Sequence, residues 1–245
     1  MGVGSRLVKP TYSASVPAKG IGVNLSETAI GPTRSITDTI AFVDWNTQIR
    51  ALRLNKHPDQ SFASLKTIEY VAKIIANTLS SRDSERRFLV TLRIYHGWLK
   101  GFEPTIRRRA LRLAEKDLDY NSLGEKRNVK FRPTIELGDR LISAAAIRLH
   151  NRLDCHLPNT LRTSLSDEQK EEEKMVDTAI ASDVVDVAHR EKGTWIVLVS
   201  DDDDMVPPAF VAEKARIPNV DGQVVLARRR GGGPFLNLEG LLWQI

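Results

Sequence analysis

Cysteine is nearly missing from this chain. Cys155 is the only one in 245 residues, which excludes intrachain disulfides and cysteine-held zinc fingers. Long apolar runs are missing too: none approaches the roughly 18–20 residues of a membrane span. The N-terminus lacks the continuous apolar core of a secretory leader. There is no Walker phosphate loop, no G-x-S-x-G elbow and no H-E-x-x-H pair. Gly20-Ile21-Gly22 has no third glycine in register and opens no clear helix, so it is a poor dinucleotide fingerprint. No internal repeat is visible. These absences leave a cytoplasmic, non-membrane protein as the default expectation.

What is present is a chain of globular composition, 41% hydrophobic and 27% charged. The length fits one α/β domain with insertions, or two small domains. The net charge of +5 hides an asymmetry. Residues 82–162 hold eighteen Lys and Arg against ten Asp and Glu, whereas residues 167–204 hold four against thirteen. The basic stretch could hold a polyanion and the acidic one a cation, unless both are simply solvated surface. Arginine outnumbers lysine 23 to 13, and arginine is the better bidentate partner for phosphate.

Residues 1–37, rich in Gly, Ser, Thr, Pro and Ala, read as an extended or flexible arm. Residues 38–245 read as one domain. Ile40–Val43 is a short apolar run consistent with a buried strand, and Phe62–Leu79 has the apolar spacing of an amphipathic helix. The long path from Asn46 to Phe88 suggests a helical insertion around 56–85. Phe88–Tyr95 reads as a strand, Thr105–Asp117 as a basic helix and Val129–Leu137 as a strand interrupted by Pro133. Arg140–Leu153 could be either strand or helix. Glu171–Arg190 reads as a helix, Trp195–Val199 as a buried strand, Pro207–Arg216 as a short helix and Gln223–Ala227 as a strand. Pro234–Ile245 is a terminal segment. Apolar strands alternating with helices predict an α/β fold of three layers, with a central, mainly parallel sheet flanked by helices.

Two predicted strands end in acid. Ile40–Val43 runs into Asp44, and Trp195–Val199 into Ser200 and Asp201–Asp204. Open parallel sheets bind ligands beyond the carboxyl ends of their strands, where strand order reverses. If these two strands are adjacent, their carboxylates meet in one crevice. The helix before the second strand must start on the same edge, which brings Lys174 and Asp177 there. Asp183 lies about 9 Å further along that helix and is turned roughly 120° away, so it suits a supporting contact. Clustered carboxylates repel and raise one another's pKa, and Mg²⁺ or Mn²⁺ relieves that penalty. A solvated acidic turn is the alternative.

The segments Phe42-Val43-Asp44-Trp45-Asn46, Lys174-Met175-Val176-Asp177 with Asp183, and Leu198 to Pro207 resemble the NYN branch of the PIN-like nuclease superfamily. That branch reads D-x-N after its first strand, K-x-V-D with an Asp six residues later, and S-x-D-x-D-aromatic-x-P after its fourth strand. The likeness spans roughly Ile40 to Arg229. It implies a PIN-like, Rossmann-like fold in which Asp44, Asp177, Asp202 and Asp204 bind metal or position water. Asn46 and Ser200 would support them by hydrogen bonds, and Lys174 would contact phosphate or pair with an Asp. Asp201 stands where Gly is common, Asp203 where a small residue is usual and Met205 where Phe is common, so extra negative charge would alter metal affinity or substrate approach.

Other features stay open at this stage. On the basic helix, Arg108 and Arg112 are i, i+4 partners that could clamp phosphate, unless the helix is only solvated. Arg228, Arg229 and Arg230 before Gly231-Gly232-Gly233 could touch a nucleic-acid backbone or form a linker. Tyr95, His96 and Trp98 could stack on bases or pack in the core. Cys155 and His156 are adjacent, which is no guarantee of catalytic geometry. The expected function is Mg²⁺- or Mn²⁺-dependent phosphodiester hydrolysis, with RNA ahead of DNA as substrate. The alternatives are an inactive nucleic-acid-binding or scaffold module, and an acid-pocket phosphohydrolase, although Asp44-Trp45-Asn46 lacks the D-x-D of haloacid-dehalogenase-type enzymes. A toxin or effector of this kind would need restraint by a protein partner or by homo-oligomerisation.

Overall fold

The structure is a computed structural model that describes residues 35–97, 99, 104–138, 161–163, 171–218 and 220–228. In chain order its elements are β1 (Ile36–Asp44), α1 (Trp45–Ala51), α2 (Gln60–Arg82), β2 (Arg87–Tyr95), α3 (Ile106–Lys116) and β3 (Val129–Leu137). Then come β4 (Leu161–Thr163), β5 (Glu171–Glu173), α4 (Val176–Arg190), β6 (Trp195–Val199), a 3₁₀ turn (Asp203–Met205), α5 (Val206–Lys214) and β7 (Val224–Ala227). The main sheet has the order β3-β2-β1-β6-β7 and every pairing in it is parallel. β4 and β5 form a separate antiparallel pair.

The sheet is buried on both faces, which is why β6 reads as an unbroken apolar run. Ala41, Val43, Leu92, Ile94, Val197 and Val199 face α1, α2 and α3. Phe42, Tyr95, Ile196 and Leu198 face α4 and α5. This is the three-layer α/β architecture expected from the strand and helix alternation. Each fully buried Val, Leu or Ile contributes about 1.5–3 kcal/mol. α2 does more than decorate the fold: Ala63, Ile68, Val71, Ala72, Ile75 and Leu79 form much of one core. Its start is set by Asp59, whose side chain accepts from Phe62 N at 2.9 Å.

β1 and α4 start at other residues than expected, whereas β3 has the expected span. β1 begins at Ile36 because Thr37 and Thr39 are its buried residues there, while Ile36 is exposed. That inversion of polarity hides the strand from an apolar pattern. α4 begins at Val176, because residues 171–173 pair with β4 instead of entering the helix. β3 keeps Pro133 by a register shift opposite Val90 and Leu92, at the sheet edge where proline is tolerated. Most of the arm expected at 1–37, together with Trp98, Arg140–Leu153, Cys155, His156, Arg229, Arg230 and Pro234–Ile245, lies outside the described residues.

Candidate metal centre

Strand order locates the centre. From β1 the chain adds β2 and β3 on one side and β6 and β7 on the other, so order reverses between β1 and β6. The crevice beyond their carboxyl ends is the expected ligand site. Val43 is in register with Val199, which makes Asp44 and Ser200 neighbours. Ser200 Oγ donates to Asp44 Oδ2 at 2.8 Å and accepts from Asp202 N at 3.1 Å. Asp202 Oδ1 accepts from Asp204 N at 3.0 Å, which caps the 3₁₀ turn. One buried hydroxyl therefore ties the end of β1 to the acidic turn after β6.

α4 supplies the third direction. Its first turn carries Asp177, and the carboxylates of Asp177, Asp202 and Asp204 each offer an oxygen within 4.8 Å of the others. Three hard oxygen donors this close fit a divalent cation, and a metal ion could be held here. Met175, just before the helix, sits at φ 64°, and α4 has no side-chain N-cap. A left-handed non-glycine residue costs of order 1–3 kcal/mol, so backbone strain is stored where β5 turns into α4.

Asp44 is outside this group of three. It is 3% exposed, and its Oδ1 accepts from Thr47 N at 3.3 Å as the N-cap of α1. Both of its oxygens thus have protein donors. Burial pushes its carboxyl up, against the hydrogen bonds from Ser200 and Thr47, and Glu173 adds to the rise. Burial also raises Asp177, reinforced by the charges of Asp44, Asp202 and Asp204. Asp44 is therefore a close electrostatic neighbour of the trio.

Glu173 is a carboxylate that the sequence pattern missed. It belongs to β5, and burial raises its carboxyl although Arg107 opposes the shift. Arg107 Nη1 donates to Glu173 Oε1 at 3.2 Å and to Asn46 Oδ1 at 3.1 Å. Asn46 thus meets an arginine of α3. No local pattern distinguishes Glu173 from Glu171 and Glu172, because its place depends on the pairing of Leu161 with Glu173.

Two arginines expected at phosphate, Arg112 and Arg228, have partners within the protein. Arg112 Nη1 donates to Glu115 and to the Ile135 carbonyl at 3.1 Å, so it braces α3 against β3. The backbone N–H of Arg108 donates to Thr105 Oγ1 in the cap of α3. Arg228, its side chain 8% exposed, donates to Asp201 O at 3.0 Å and Asp203 Oδ1 at 2.5 Å. It braces the acidic turn. The extra charge of Asp203 is thereby paired inside the protein. Asp183 lies away from the trio, accepting from Tyr95 Oη at 2.6 Å. Lys174 is exposed beside Glu173. Tyr95 and His96 are buried, so Tyr95 packs against Phe42 in the core.

Compared with known proteins, the chain matches no family model, no curated protein and no solved structure. Among the described residues, no helix is long and apolar enough to cross a membrane.

Proposed function

We propose that this protein is a Mg²⁺- or Mn²⁺-dependent nuclease of the NYN, PIN-like type that hydrolyses phosphodiester bonds in RNA. The observation that carries the reading is the trio Asp177, Asp202 and Asp204 at the switch point of a parallel sheet. These three residues would hold the ion. When bound, such an ion supplies a Lewis acid toward a phosphoryl oxygen and a water that ionises near neutral pH. Ser200 holds Asp44 and the acidic turn in fixed relation, so the carboxylates need little rearrangement. Arg107 braces Glu173 and Asn46 on the α3 side of the crevice.

The test is incubation of the full chain with labelled RNA and DNA, with Mn²⁺ or with EDTA. RNA products that need the metal are expected. Asp202→Asn should lower their rate more than about 100-fold, since even groups behind metal ligands cost 10–100-fold. Equal activity in EDTA, or full activity of Asp202→Asn, would sink the reading. Binding without products would favour a nucleic-acid-binding module of the same fold.

A further inference from the structure

A cavity of about 210 Å³ opens beside Glu173, between the end of β2, the start of α3 and β4. We infer that it is a nucleobase subsite, taking a base with an exocyclic amino group from the nucleotide next to the phosphate at the acidic trio. This rests on the nuclease reading above.

Size, lining and position converge on that occupant. The cavity is smaller than the roughly 300–1,000 Å³ of sites that enclose drug-sized ligands, so it suits one planar ring system and leaves sugar and phosphate outside. Leu99, Pro104, Ile106 and Leu161 provide apolar wall. Arg107 and Arg109 bring positive charge to the same space. Single-stranded RNA is recognised by splaying bases out of the stack, and guanidinium planes serve as stacking surfaces. The base would sit against the Arg107 side while its phosphate turns toward the crevice.

Glu173 links the cavity to the trio. It lines the cavity together with Arg107, which donates to Glu173 Oε1 at 3.2 Å and to Asn46 Oδ1 at 3.1 Å, two residues beyond Asp44. A base held here therefore borders the carboxyl end of β1, on the same edge of the sheet as the acidic trio. Arg107 fixes Glu173 through Oε1. A carboxylate only accepts hydrogen bonds, so it favours an amino group at the base edge; uracil offers it a single N3–H flanked by two carbonyl oxygens that the negative charge repels. Gly97 keeps the wall thin: a Cβ there would come 2.6 Å from Leu161 Cδ2 and 3.0 Å from Glu173 Cγ.

The experiment is calorimetric titration of the full chain with the four ribonucleoside 5′-monophosphates, in Mg²⁺ and in EDTA. The adenine, cytosine and guanine nucleotides are expected to bind at least about tenfold more tightly than the uracil one. Arg107→Gln and Ile106→Glu should each weaken that binding at least about fivefold. Ile106 is 74% exposed, so Ile106→Glu should keep its melting temperature and report on the cavity alone. Uracil nucleotide binding as tight as the others, no binding of any, or wild-type binding by both variants would overturn the subsite. Failure of the nuclease reading looks different: selective monophosphate binding persists while Mn²⁺ yields no RNA products.

Discussion

Ser200 uses its hydroxyl in both directions, donating to a buried carboxylate and accepting from the backbone of the acidic turn. A hydroxyl is the smallest group that does both. Ser200→Ala would leave Asp44 Oδ2 and Asp202 N without these partners. An orphaned buried group costs about 1–3 kcal/mol, more when charged. We expect a loss of that size in chemical denaturation, together with a 10–100-fold weaker Mn²⁺ affinity by calorimetry. Unchanged affinity would show that the turn holds its shape without the hydroxyl. The residue scale also shows what sequence reading resolves. Asp202 and Asp204 were legible because they follow the apolar run of β6, and Asp177 because the apolar stripe of α4 fixes which end of that helix meets the same edge. Glu173 was not, since three identical acids carry no pattern. Arg107 was not either, because adjacent arginines on a helix differ only in the neighbours they meet.

Elements were legible in proportion to how much of their burial is apolar. β6, buried at every position, and α2, with a clean stripe, emerge from periodicity alone. The start of β1 escapes because threonines are buried in it, and the strand at Glu171–Glu173 escapes because acids favour helix first turns. Contacts between elements were the least visible, as with α4 and β2. Tyr95 Oη donates to Asp183 Oδ2, and burial pushes the Asp183 carboxyl up, while Tyr95 and Arg93 oppose the rise. A carboxyl raised on folding gives stability that is complete below its ordinary value of 3.8 and is lost as pH climbs through the folded value. Asp183→Asn keeps an acceptor for Tyr95 and cannot ionise. The variant should therefore melt above wild type at pH 7 in EDTA. That gap should close as pH falls through the raised value toward 3.8. A gap that does not change with pH would refute the linkage.

At the scale of the whole molecule, the opposed charges are already partly joined. Arg107 of the basic stretch meets Glu173 of the acidic one, and Arg228, beyond both, meets Asp203. The basic and acidic stretches are therefore not two independent surfaces. Arg107 and Arg228 fix the frame around the acids, and within it the negative charges of Asp44, Asp177, Asp202 and Asp204 lie close enough to act on one another. That concentration works against the folded state, because the unfolded chain keeps these carboxylates apart and hydrated. A cation bound only by the native trio would reverse the balance. At one hundred times its dissociation constant it would add about 2.7 kcal/mol to native stability. For a domain of this size each kcal/mol moves the midpoint by roughly 2–4 °C, so saturating Mn²⁺ should raise the melting temperature by about 5–11 °C. Asp177→Asn and Asp202→Asn should each begin at or above the wild-type midpoint in EDTA, because each removes one repelling charge, yet gain little from the metal. Scanning calorimetry of the three proteins with and without Mn²⁺ checks this. An equal shift in all three would place the cation elsewhere, and no shift in wild type would mean that the trio does not hold one.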